Sequence, residues 1–483
     1  MRQSLQKNGF IWGLALLNLA LAIYATPISD WGDPAEYILL SESFLGWSTD
    51  VNMAHRSPLY SIILAGFMLV LKPPLLYKVM VFLQYLLLAF TSWMIFLLFQ
   101  RVFSAKKLAL FTALLFNLSF ATIFYGTLLQ TEILTVFLVV LAVTILLNIY
   151  QKGNLKHYIA LGAVVGLISL ARFSAVPLIF TFFILLLIVL YRQKASARKW
   201  VFSLCAFFVP YLLLINAWCV YNQYNNGFYG LFPHSGQGVS KNIMVASLRP
   251  YYTVSEANKP ILDLFLEARE TYLEKPKTQF KGSLAKFDKF GILPDLYGGY
   301  AIYMEAGPEL RQHFALPATA GEYELSQKLT DFYREISGQN QAFVLKFRFI
   351  SFLNGFRAAE SGTMPPEFGK INLNILPAFF FIIYRLAFVG ICFFVFFSFF
   401  YFVLNGIKNG WNFDFTLLTL FFIVFSFWGI NFVFVTAADA NRFKFPAEPF
   451  IFGLFVYYSA LVWNWFTGKV HSWRDRHRQI TIR

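Results

Sequence analysis

Charged residues are scarce in this chain, and those bordering its apolar runs are of the types that move protons and hold anions. Asp30, Asp33 and Glu36 gather in Asp30-Trp31-Gly32-Asp33-Pro34-Ala35-Glu36-Tyr37, just past a charge-free run from Phe10 to Pro27. Next come His55-Arg56-Ser57-Pro58-Leu59-Tyr60, then Glu132 after Thr127–Thr131, then Leu170-Ala171-Arg172-Phe173-Ser174. The last group is Arg442-Phe443-Lys444-Phe445-Pro446-Ala447-Glu448-Pro449. A carboxylate can take the proton of a hydroxyl nucleophile, which is weak until it does so. A guanidinium or ammonium can hold the phosphate of a leaving group. Asp33 and Tyr37 share one face if their segment is helical. Carboxylates at the mouth of a membrane span are costly and tend to be functional.

The elements that must position these residues are apolar helices. Hydrophobic residues make up 58% of the 483 and charged residues 13%, with mean hydropathy +0.57. This is the composition of an all-α polytopic membrane protein. Spans are expected at Phe10–Pro27, Val79–Gln100, Leu108–Thr131, Ile133–Gln151, Tyr158–Ala171, Phe173–Tyr191, Val201–Tyr221, Leu386–Leu404, Phe415–Ala437 and Pro449–Phe466. A further run, Ser57–Leu71, is short for a span and ends at Pro73-Pro74. If it crossed, the loops Arg101–Lys107, Lys152–His157 and Arg192–Lys199 would face away from Arg2 and Lys7, against the positive-inside rule. If it lies in the outer interface, those loops, Lys408 and the tail Arg474–Arg483 all become cytoplasmic with the N-terminus. That gives about ten transmembrane helices with both termini inside. The candidate site residues then share the outer face.

Three regions follow: a membrane core over 1–221 with its first outer loop at 28–77, an extracytoplasmic insert over 222–373, and C-terminal spans with a basic tail over 374–483. The insert has no tryptophan, and Glu256–Glu274 and Glu322–Phe356 carry helical periodicity, so a mostly helical cap is expected. Gly291, Pro294 and Gly298-Gly299 read as punctuation between its helices. The net charge of +15 is explained by orientation and anionic lipid contact, not nucleic acid. Cys205, Cys219 and Cys392 lie in apolar runs and suggest neither disulfides nor a metal site. Short loops and the basic tail point to a bacterial inner membrane.

Taken together and in this order, these segments resemble the GT-C superfamily of membrane glycosyltransferases, in the branch that includes protein O-mannosyltransferases and lipid A aminoarabinose transferases. Asp33-Pro34-Ala35-Glu36-Tyr37 resembles that branch's Asp-x-x-x-Tyr, and His55–Tyr60 its entry to a juxtamembrane helix. Thr131-Glu132 resembles its second acidic outer loop, and Leu170–Ser174 its Leu-x-Arg turn. The stretch after the seventh span is similar at Asn225–Gly238, and Arg442–Pro449 is similar to an Arg-x-x-x-Pro-x-Glu-Pro signature. Pro34 and Ser57 depart from the pattern, and the insert lacks the tryptophan-tryptophan-aspartate signature of oligosaccharyltransferases.

The resemblance implies a GT-C fold and inverting transfer of a sugar from a polyprenyl-phosphate donor to an acceptor lipid, glycan or protein. Asp33 and Glu132 would be the catalytic acids, with Asp33 the base. Tyr37, His55, Arg56, Tyr60, Arg172, Arg442 and Lys444 would bind substrate. No cofactor is required, although the carboxylates leave room for a divalent metal. Other roles stay open from the residues alone. Asp30 could be the base, Glu132 could cap its helix, and Arg172 and Arg385 could be snorkelling anchors. Competing functions are a lipid-linked glycan polymerase or ligase, and a lipid-linked sugar flippase. Charges gathered at one face and the lack of an inverted repeat disfavour transport.

Overall fold

The computed structural model describes residues 33–48, 56–103, 105–233, 253–274, 293–316, 322–339, 341–354, 356, 375–434 and 444–467, with Gly9, Gly13, Leu16 and 18–20 of the first apolar run. Among them every regular element is a helix. In chain order these are α1 (Asp33–Phe44), α2 (Pro58–Met68), α3 (Leu75–Val102), α4 (Lys106–Asn117), α5 (Phe120–Gly126), α6 (Glu132–Lys152), α7 (Leu155–Ala171), α8 (Leu178–Arg192) and α9 (Ala197–Asn226). Then come α10 (Lys259–Glu274), α11 (Leu293–His313), α12 (Glu322–Lys328), α13 (Thr330–Gln339), α14 (Gln341–Asn354), α15 (Ile375–Lys408), α16 (Phe415–Phe434) and α17 (Glu448–Phe466). Six of the described helical stretches are long and apolar enough to cross a membrane, or seven if the bent pair α4–α5 counts as one. Helix α7 is a shorter apolar helix. Helix α2 has 11 residues, about 16 Å of helix against a hydrocarbon core of about 30 Å.

The expected single span over Leu108–Thr131 is broken instead. Helices α4 and α5 meet at a bend of 52°. Ser119 causes the break locally, because its extended backbone and its hydroxyl, which accepts from Thr122 N at 3.2 Å, start a new helix. Asn117 closes the preceding helix, and its side chain donates to Ser92 Oγ at 2.9 Å. Asn18 in turn donates to the Asn117 carbonyl at 2.6 Å, which ties the first apolar run to the break. Such polar ties matter in lipid, where freed backbone groups have no water to turn to.

Close helix contact fixes the rest of the first half. Helices α7 and α9 run against each other through Gly162 and Gly166. A Cβ at Gly162 would overlap the Phe207 carbonyl oxygen, and one at Gly166 would lie 2.9 Å from Leu214 Cδ1. Small residues at this spacing let helix backbones approach in a membrane, where packing replaces the hydrophobic drive. Along α15, Leu386, Phe393, Phe397, Phe400 and Leu404 are exposed, as suits a face turned to lipid chains.

The insert has a core of its own. Ile261, Phe265, Ile302, Tyr303, Leu310, Leu325, Phe332 and Ile336 form a hydrophobic cluster separate from that of the membrane helices. Its helical character agrees with the periodicity, but α11 runs straight through Gly298-Gly299, where the sequence suggests a break. Ile302, Tyr303, Ala306 and Leu310 bury one face of α11, and that packing outweighs the cost of two helical glycines, about 1 kcal/mol each. Phe356 joins the insert to the bundle, stacking on Trp428 at 4.6 Å and on Phe393 at 5.2 Å, and Phe228, just past α9, stacks on Tyr323 at 5.0 Å.

Candidate active site

Helix α1 begins at Asp33 and carries Asp33 and Glu36 in its first turn, where the positive end of the helix favours carboxylates. Facing it is the start of α2, set by Pro58 at the first helical position and Ser57 in extended backbone before it. Ser57 does not cap the helix with its own hydroxyl. That hydroxyl donates to the Ala171 carbonyl at 2.6 Å, which pins the start of α2 to the end of α7. Tyr37 Oη lies 3.4 Å from Ser57 Oγ, and Ser61 Oγ donates to the Tyr37 carbonyl at 2.9 Å. The expected face-sharing of Asp33 and Tyr37 therefore places both beside α2.

Arg56 joins these pieces. Its Nη2 donates to Asp33 Oδ1 at 2.6 Å and its Nε donates to Glu36 Oε2. The guanidinium also lies 5.7 Å from the Tyr37 ring centroid, within reach of a cation–π contact. Burial pulls its pKa down, but Asp33, Tyr37 and Glu36 outweigh that and the net direction is up, so the side chain stays a cation. The three charged side chains are 21–28% exposed and can meet a substrate from outside.

Behind this group the site is buried. Tyr60 is buried against Tyr37, with ring centroids 5.6 Å apart, and its hydroxyl donates to Gln84 Oε1 at 3.3 Å. Gln84 passes the connection on, donating to the Gly126 and Leu128 carbonyls at 3.1 and 3.0 Å. Burial first, then Tyr37 and Glu132, push the Tyr60 phenol upward. Tyr60 therefore stays a neutral hydroxyl. Glu132 opens α6 and is fully buried, with Oε1 receiving Arg172 Nη1 at 3.0 Å. Arg172, only 7% exposed by its side chain, turns inward to that carboxylate and does not reach for the interface.

Lys444 belongs to a different ion pair. Its Nζ donates to Glu448 Oε1 at 2.9 Å, both side chains are fully buried, and the ammonium sits 4.1 Å from the Phe388 ring centroid. The next residues, Phe445–Ala447, pack on α6, and Phe445 meets Tyr125 at 4.8 Å. His55 and Arg442 lie outside the described residues, as does Asp30.

Asp33, Tyr37, Arg56, Tyr60, Glu132 and Arg172 are thus brought into one connected neighbourhood, while Lys444 is held by Glu448. Four further participants emerge: Glu36, Ser57, Gln84 and Glu448. Glu36 and Glu448 carry a sequence signal, since each sits at helical spacing from a named partner, Asp33 or Lys444. Ser57 and Gln84 carry none, because their partners are backbone carbonyls distant in sequence.

Residues 55–218 match the family model described as dolichyl-phosphate-mannose-protein mannosyltransferase. No curated protein and no solved structure matches the chain. With the apolar helical bundle, the family match supports a membrane glycosyltransferase of GT-C type. The matched stretch holds Arg56, Tyr60, Glu132 and Arg172, whereas Asp33, Tyr37 and Lys444 fall outside it.

Proposed function

We propose that this protein transfers a sugar from a polyprenyl-phosphate donor to an acceptor hydroxyl on the outer face of the membrane, with inversion at the anomeric carbon. The observation that carries this reading is the Asp33–Arg56 contact, which sets a base and a phosphate-binding cation 2.6 Å apart at the entrance of a membrane bundle. The acceptor oxygen attacks the anomeric carbon, and its proton goes to Asp33. The bond from that carbon to the phosphate oxygen breaks, and its electron pair leaves on the phosphate. Arg56 stabilises the charge that builds there, which is electrostatic stabilisation by a preset donor. Arg442 would add to this cation set. Glu132, held by Arg172, would position the acceptor. Neither step calls for a cofactor. The acceptor is a lipid, glycan or protein, chosen by the insert, and exchanging the insert with that of a relative should change acceptor use.

The test is made on purified protein in lipid, with radiolabelled polyprenyl-phosphate sugars and release of free prenyl phosphate as the readout. Turnover by the wild type that is lost in Asp33→Asn, with donor binding kept, supports the reading. Movement of labelled lipid between leaflets without turnover would replace it with a flippase. Activity unchanged by Asp33→Asn would take the base role from that residue.

A further inference from the structure

Arg56 is gripped from two sides in this structure. Asp33 holds Nη2 at 2.6 Å, Glu36 holds Nε, and the Tyr37 ring lies against the guanidinium. A carboxylate oxygen committed to a guanidinium does not offer the same lone pair to a hydroxyl proton. An N–H committed to a carboxylate does not reach a phosphate. A phosphate seated on that N–H and a hydroxyl proton taken by that oxygen would both need this contact to open.

We propose that the donor phosphate replaces Asp33 on Nη2 of Arg56 while Glu36 keeps its hold on Nε, so that donor binding itself releases the base. This inference rests on the glycosyltransferase reading. Three features select Asp33 as the contact that opens. Asp33 is the first residue of α1, so the helix end compensates part of its charge once the guanidinium leaves. Asp33 is bound at the terminal Nη2, on the outer edge of the fork, whereas Glu36 is bound at Nε on the stem. Tyr37, fixed between Ser57 and Tyr60, keeps the guanidinium plane in place while partners change. Glu36 is then a positioning residue acting through Arg56. Among the described residues, the charged and titratable groups around the exchange are Glu36 and Tyr37 on α1, Tyr60 on α2, and Glu132 with Arg172 at the ends of α6 and α7. The last two are committed to each other.

The experiment compares pH profiles of kcat/KM and kcat for a polyprenyl-phosphate sugar, using the full-length protein in lipid. The first profile reports the free enzyme and the second the donor complex. The expected result is an acid limb at higher pH in kcat than in kcat/KM, because a carboxylate freed from a guanidinium takes up a proton more readily. Glu36→Gln should raise the donor KM by about 10- to 100-fold, the worth of a hydrogen bond to a charged group, with kcat nearly unchanged, and Glu36→Asp should restore part of it. Acid limbs that coincide would overturn the exchange. So would a lower donor KM in Glu36→Gln, which would make Glu36 the displaced partner. Should Glu36→Gln fail to fold, the wild-type limbs and Glu36→Asp still decide. Absence of turnover with every donor overturns the glycosyltransferase reading and the exchange with it, whereas turnover with coincident limbs overturns the exchange alone.

Discussion

The outer ion group and the two buried pairs use the same chemistry in opposite settings. Asp33, Glu36 and Arg56 retain between a fifth and a third of their surface. Glu132–Arg172 and Lys444–Glu448 retain almost none. A part-exposed pair can trade partners, because water and incoming ligands compete for it. A buried pair cannot trade without leaving an uncompensated charge, at a cost of about 3–5 kcal/mol. The first setting suits a group that acts and the second a group that holds. The difference recasts Glu132, which the sequence places beside Asp33 as a second catalytic acid. Its pairing with Arg172 fits positioning of the acceptor more than proton transfer.

The largest effect that could break this comparison is on rate. Asp33→Asn should lower turnover by about 10²–10⁴-fold, the usual worth of a positioned base, and leave the thermal midpoint in lipid nearly unchanged. A large loss of stability would move Asp33 into the holding class. Next is Arg172→Met, which strands Glu132 and should lower stability by about 3–5 kcal/mol, read as a fall in the denaturation midpoint. Adding Glu132→Gln should recover most of that loss. If the double variant is stable but inactive, Glu132 acts in chemistry after all.

A smaller effect tests the scaffold. Gly162→Ala forces α7 away from the Phe207 carbonyl and should cost about 1–3 kcal/mol, as overpacking does, with a weaker loss of activity through Ser57 and Ala171. The smallest effect concerns salt. Raising ionic strength to 1 M shortens the screening length from about 8 Å to about 3 Å. Donor KM should rise modestly, because the part-exposed group is screened, while the thermal midpoint set by buried pairs should hold.

Much of this site was legible because a membrane chain carries few charges, so each one near an apolar run stands out. Asp33, Tyr37, Arg56, Tyr60, Glu132 and Arg172 were found that way, and the structure joins them. Their pairing was not legible. Nothing in the sequence says that Arg172 takes Glu132, because that choice is made by the packing of distant helices, whereas Lys444 and Glu448 stand at helical spacing. The interfacial reading of Ser57–Leu71 came from charge parity, and the short α2 agrees with it. The break at Leu118–Ser119 is hidden because the run carries no charge, and only the small polar residues Asn117, Ser119 and Thr122 mark it. In the insert, the Gly298-Gly299 pair misled for the opposite reason: a strong local signal was overruled by burial of Ile302, Tyr303 and Leu310.

The separate core of the insert has an evolutionary consequence. Substitutions among Ile261, Phe265, Tyr303, Phe332 and Ile336 are compensated by one another and not by residues of the bundle. The cap can therefore drift, lengthen or be exchanged between lineages while α1 to α9 stay under their own constraints. The seams at Phe228–Tyr323, at Phe356 against Phe393 and Trp428, and between α14 and α16 must co-vary. A comparison of related chains should find two rates of change along one polypeptide, fast across the insert and slow across the membrane helices.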